Sequence, residues 1–354
     1  MNHSYKINVL DQIPIHNNLP SHLAPAQTIE LAKHCDALGY YRYWIAEHHD
    51  TEGYACSCPE IMIAEVARVT ENLRVGSGGV MLSHYSPYKV AETFRLLSSL
   101  HPNRIDLGVG RAPGGNSVAA SALAYPNHAN GAELYAQQVS DLSGFLHNSL
   151  PTGHPYSSLK TIPEAETAPE LWLLGSGAGS AEFAGDVGAG FALALFIGTH
   201  DRPTEITNAY RNAFRPIQPQ QKSKVMLAVA VICAEDSDKA IRIAATHTYW
   251  KVQAFRHGVR IPLLPPEDCL NLKQTLSIND QAYYDETLNS MIVGTAEECH
   301  ARMDSLADEY GADEIIVVNV CYDFEDRKRS YELLAEEFKL KKHSPNRDKT
   351  DINS

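Results

Sequence analysis

Nowhere in these 354 residues does an apolar run approach about 18 residues, the length that a membrane-crossing helix requires. The opening stretch MNHSYKINVLDQIP lacks the apolar core of a secretory signal, so a cytoplasmic location is expected. Basic residues are in deficit: 30 Lys and Arg stand against 43 Asp and Glu, a formal net charge of −13, and the acids are spread along the chain. Such a field repels polyanions, which argues against nucleic acid as a partner. Paired metal spacings are also missing. The seven cysteines, Cys35, Cys56, Cys58, Cys233, Cys269, Cys299 and Cys321, form an odd set without zinc intervals and read as reduced thiols. No HxH or HExxH pattern occurs, and no dinucleotide-binding fingerprint follows the first apolar run.

What the chain does have is an ordinary globular composition, 44% hydrophobic and 21% charged, enough for a sizeable core. One domain over residues 1–338 is expected. The remainder, KLKKHSPNRDKTDINS from Lys339, reads as too polar to pack. Short β-branched runs recur, each followed by a turn and an amphipathic stretch. They are INVLD (7–11), RYWIAE (42–47), LRVGSGG (73–79), RIDLGVG (104–110), LWLLGS (171–176), FALALF (191–196), VMLAVAVICA (225–234) and EIIVVNV (314–320). Eight such units fit either a closed barrel or an open doubly wound sheet. The missing fingerprint favours the (β/α)8 TIM barrel. Two stretches are too long for simple connections, Ala112–Gly131 after strand four and Trp250–Asp285 before strand eight, and read as lids or substrate walls.

In a barrel, chemistry sits at the C-terminal ends of the strands. Six ends carry unusual residues: Asp11, Glu47-His48-His49-Asp50, Ser77-Gly78-Gly79, Gly110-Arg111, Gly175-Ser176-Gly177 and Gly198-Thr199-His200. The segment LLGSGAGSAEF sets glycines and serines between a strand and a helix, where free amides suit a phosphate; Gly175, Ser176, Gly177 and Ser180 are the candidates. The same residues also fit a glycine-rich turn with Ser180 as an N-cap. Arg111 offers forked donors for that phosphate, or a surface ion pair. Adjacent histidines on an extended strand point to opposite sides, so only one of His48 and His49 faces a pocket easily, and the two cannot readily share a metal. Gly78-Gly79 permits a flat ligand to lie on the backbone, or marks a barrel corner.

In this order, WIAEHHDTEGYACSCP, NLRVGSGGVMLSHYSP and NRIDLGVGRAPGG resemble the bacterial luciferase-like flavin monooxygenases, and the likeness runs from Ile7 to about Val320. The branch that it resembles has a leucine-aspartate-glutamine motif at the end of its first strand, here Leu10-Asp11-Gln12. The resemblance implies a TIM barrel that binds FMN, usually reduced, and acts with dioxygen on a small organic molecule. It implies that His48 lies by the reactive edge of the ring, moving a proton there, tuned by Glu47 or a backbone group. Gly78 and Gly79 match a pair around a non-proline cis peptide against which the ring packs, with Ser77 beside them. Arg111 matches the phosphate-side arginine, and Ser176, Gly177 and Ser180 match the phosphate loop. Gly175 departs from the pattern, since luciferase itself has an acidic residue there. The resemblance further implies a flavin reductase as a transient partner and a homodimer through PEIMIAEVARVT and PYKVAETFRLLSSL. It leaves open F420-dependent hydride transfer, or flavin binding without catalysis, on the same barrel.

Overall fold

The computed structural model describes residues 5–112, 114–126, 132–197 and 202–342. Its strands are β1 (Lys6–Asp11), β2 (Arg42–Ile45), β3 (Arg74–Met81), β4 (Ile105–Gly110), β5 (Glu170–Gly175), β6 (Gly190–Ala194), β7 (Val225–Cys233), β8 (Ile292–Gly294) and β9 (Glu314–Val318). All pair in parallel. The ladder runs from β1 through β6, β6 pairs with β7, β7 with β9, and β9 returns to β1. That closure is the TIM barrel expected from the sequence and excludes the open sheet. The unexpected strand is β8, three residues pairing only with the outer end of β7 at Val231–Cys233. Three residues are too few to show an alternation.

The helices are α1 (Ala24–Leu38), α2 (Pro59–Val69), α3 (Pro87–Leu100), α4 (Ser117–Ala124), α5 (Ala132–His147), α6 (Ala178–Asp186), α7 (Glu205–Ala213), α8 (Ser237–Arg256), α9 (Pro266–Lys273), α10 (Ile278–Ser290), α11 (Ala296–Tyr310) and α12 (Phe324–Glu337). Four of them, α1, α2, α3 and α9, open with proline in the first turn, where the missing amide donor costs little. A reciprocal cap between Thr295 and Glu298 starts α11.

The barrel is a packed core. Leu10, Trp44, Trp172, Met226, Ile316 and Val318 fill it, with Trp44 and Trp172 edge to face at 5.5 Å. Below them, at the N-terminal ends of the strands, the buried Arg42 reaches Asp106 at 2.7 Å and Glu314 at 2.8 Å. Burial opposes the charge of Asp106, but Arg42 and Arg74 outweigh it and hold the carboxyl below its ordinary range.

Three expectations change. Asp11 does not join the open rim. Its carboxylate is buried on the outside of the barrel, taking hydrogen bonds from Thr28 (2.8 Å), Tyr43 (2.5 Å), Arg327 (2.7 Å) and its near neighbour Ile13 (2.8 Å). Strand three does not end at Gly79. β3 runs on to Met81, with a register shift between Gly78 and Val80. The polar tail does not begin at Lys339, because Leu340 donates its amide to Ala335 and packs on the core. Residues 343–354 lie outside the described residues, as does the strand end Gly198-Thr199-His200.

The second insertion is mostly helical, comprising the end of α8, then α9 and most of α10. Its linker is woven into the barrel mouth. Leu263 donates to Ile15 at 2.7 Å, Asn17 to Leu263 at 2.9 Å, Ile15 to Gly53 at 2.8 Å and Glu52 to Arg260 at 3.2 Å. Segments following β1, β2 and α8 thus form one small backbone ladder, a fixed wall at the mouth. Among the described residues no helix is long and apolar enough to cross a membrane.

Candidate functional site

The end of β2 is held from both sides: His48 donates its amide to Cys56 at 2.7 Å, and His49 donates to Gly114 at 2.9 Å. Extended backbone then sends the side chains apart. Glu47 is buried and accepts from Tyr85 Oη at 2.7 Å and from the Met81 amide at 3.0 Å, with His49 Nε2 also 2.7 Å away. Glu47 therefore serves His49, Tyr85 and β3. The expectation that it tunes His48 is corrected: alternation puts Glu47 and His49 on one side and His48 on the other.

His48 stacks on Tyr54 with ring centroids 4.7 Å apart, and Tyr54 packs in turn on Trp250 at 4.8 Å. Its Nδ1 is buried without a hydrogen-bond partner, as is the hydroxyl of Tyr54. Burial, then the charge of Arg260 and His49, push the His48 pKa down to about 4, so the ring is neutral at pH 7. A cavity of about 860 Å³ opens beside it, walled by Ile15 and Pro25 after β1, His48 to Ser57 after β2, Asn116 before α4, and Gly258 to Ile261 after α8. Both histidines touch this cavity, against the expectation that only one would face it easily, but the Nε2 of His49 is already engaged by Glu47.

The other expected site residues stand on neighbouring strands, outside that lining. The Gly78–Gly79 peptide is cis. A Cβ on Gly78 would meet Leu10 Cδ1 at 2.5 Å, so a larger residue there would have to displace that side chain of the barrel filling. Ser77 is buried and its hydroxyl donates to the Gly108 carbonyl at 2.8 Å, which leaves it no free donor for a ligand. Arg111 follows β4 directly and is exposed, and among the described residues its guanidinium makes no hydrogen bond or ion pair. The β4–β5 register, Val109 opposite Leu173, sets the end of β4 alongside Gly175-Ser176-Gly177. Gly177 is the N-cap of α6 and supplies no side-chain acceptor, so the first amides of that helix are uncapped. Ser180 is not the N-cap. It is the third residue of α6 and donates back to the Gly177 carbonyl at 2.8 Å. Beyond Gly177 and Gly179 an added Cβ would meet nothing within 4 Å, so the space over this turn is open.

Sequence reasoning missed Tyr54 and Arg260 as neighbours of His48, and Trp250 behind Tyr54. Nothing local marks them, because the ladder that joins residues 13–17, 52–55 and 260–263 spans most of the chain.

The model of the luciferase-like monooxygenase family matches residues 6–314. An uncharacterized Bacillus subtilis protein, YwcH, is 39% identical, the match covering 94% of this chain and 98% of that protein. The N-acetyl-S-alkylcysteine monooxygenase of the same organism is 30% identical over 94% of this chain and 97% of its own length. Among solved structures, apo-MsnO8 is 35% identical with a TM-score of 0.85, covering 96% of this chain and all of that one (100%).

Proposed function

We propose that this chain, which belongs to the luciferase-like monooxygenase family, is an FMN-dependent monooxygenase acting on a small organic substrate held beside His48. The observation that carries the reading is the uncommitted Arg111, at a strand end that the β4–β5 register sets beside the uncapped start of α6. A fixed cation, free amides and a positive helix end are what a phosphate monoester needs. The residues fit the phosphate of FMN: Arg111, the amides after Ser176 and Gly177, and the open space over Gly177 and Gly179 would take it, and the ring would lie towards Gly78 and Gly79 on β3. Ser77 contributes through its backbone and Ser180 by shaping the turn, since both hydroxyls are already engaged.

When bound in reduced form, FMN supplies two electrons, so that one atom of dioxygen enters the substrate and the other leaves as water. His48, neutral at pH 7 and with Nδ1 unpartnered, holds or accepts a proton at the edge of the site. Tyr54, itself backed by Trp250, packs on its ring, and the ladder around Ile15 and Leu263 screens one side from water. The reduced flavin is delivered by a separate reductase, in keeping with the missing dinucleotide fingerprint.

The test is a comparison of FMN with riboflavin, which lacks the phosphate. Arg111→Ala should weaken FMN binding by about ten- to a hundredfold, the scale of a lost charge-assisted contact, and leave riboflavin binding unchanged. Equal FMN affinity in the variant and the wild type would place the phosphate elsewhere.

A further inference from the structure

The cavity beside His48 carries a permanent cation that the proposed chemistry does not use. Arg260 lies on its wall in the linker between α8 and α9, is exposed, and among the described residues its side chain makes no hydrogen bond or ion pair. The linker itself is fixed: the Arg260 carbonyl accepts from the Glu52 amide at 3.2 Å, and the next carbonyl, that of Ile261, accepts from the Trp250 indole at 2.9 Å. A held backbone thus presents a free guanidinium to the cavity. The other ionisable groups of the wall are accounted for differently. Asp50 accepts from the Asn116 amide, His49 is engaged by Glu47, His48 is neutral at pH 7, His22 is exposed at the rim, and Glu52 is exposed without an ion pair. Ile15, Pro25, Val259 and Ile261 give the wall an apolar stretch, beside the hydroxyls of Ser21, Thr51 and Ser57.

We propose that Arg260 docks the carboxylate of an organic-acid substrate whose apolar body lies along Ile15, Pro25 and Ile261 and leads to His48. A guanidinium presents forked donors that match both oxygens of a carboxylate, and the contact is stronger in a partly enclosed groove than in open water. The assignment deepens the reading of this cavity as the substrate pocket and rests on it. It also couples binding to chemistry. Besides burial, the charge of Arg260 helps hold the His48 ring neutral, so a carboxylate on Arg260 offsets that charge and makes the ring a better base once substrate is bound.

The test uses three probes of one length, hexanoate, hexanol and hexylamine, titrated calorimetrically into the protein without flavin and again after saturation with FMN. Hexanoate should bind at least about tenfold tighter than either of the others, and Arg260→Gln should remove that preference while Arg260→Lys keeps part of it. FMN affinity, titrated separately, should be the same in all three proteins, so a failure of the flavin reading shows itself independently. Hexanol binding as tightly as hexanoate, hexylamine binding tighter by way of Glu52, or an unchanged hexanoate affinity in Arg260→Gln would each overturn the proposal.

Discussion

Removing the imidazole of His48 is expected to leave FMN affinity nearly intact and to cut turnover per bound flavin by roughly 10²- to 10⁴-fold, the scale of a lost general acid or base. Replacing His49 should act on the fold instead, because its Nε2 belongs to the buried cluster around Glu47. Active-site titration with FMN separates the two; wild-type turnover in His48→Ala with none in His49→Ala would reverse the assignment. The same ring sets a pH dependence. The folded pKa of His48, about 4, lies below the ordinary 6.5, so the unfolded chain takes up the proton first as pH falls. Stability is fully present above about 6.5 and is lost between about 6.5 and 4, and His16, likewise held near 4 by burial, titrates in the same window. Denaturant midpoints across that range should fall less steeply in His48→Gln than in wild type. At this scale the sequence was legible in part: strand alternation sets Glu47 and His49 on one side and His48 on the other, yet both histidines reach the cavity. It misled where a partner comes from elsewhere, since adjacency suggested Glu47 as the companion of His48, and the observed companions are Tyr54 and, through its charge, Arg260.

Among the elements, α2 and α3 show apolar side chains that the fold does not cover: Ile61 is 62% exposed, Leu96 49% and Leu100 61%. Leu96 and Leu100 stand one turn apart, on one face of α3. We expect this face to be buried in a homodimer, the symmetric use of one patch by two copies. Sedimentation should show a dimer at micromolar concentration and a folded monomer for Ile61→Glu combined with Leu100→Glu; a monomeric wild type would count against the interface. These helices were readable in advance because proline starts them and apolar residues recur at helical spacing. The short β8 was not, nor were α9 and α10, which the sequence showed only as an overlong connection. Their place depends on the ladder from Leu263 to Ile15, a pairing between distant segments that no local pattern announces.

At the scale of the whole molecule, the eight apolar runs foretold the number of barrel strands, and the ladder from β9 back to β1 supplies the closure that strand count alone could not decide. Closure brings the end of β2, with His48, and the ends of β4 and β5, with Arg111 and the α6 turn, to one mouth. The central claim is the proposal that one ligand with a flat ring and a distal phosphate engages both regions at once. FMN and F420 both join a flat ring to a distal phosphate, so the choice of flavin is the sharpest question. The direct measurement is an anaerobic titration of the protein with reduced FMN and, separately, with reduced F420, followed by admission of oxygen to each complex. The account predicts that reduced FMN binds at least about tenfold tighter than F420, as one well-made charged contact can provide, and that its complex consumes oxygen. Tighter binding of F420, or no saturable binding of reduced FMN, would contradict it.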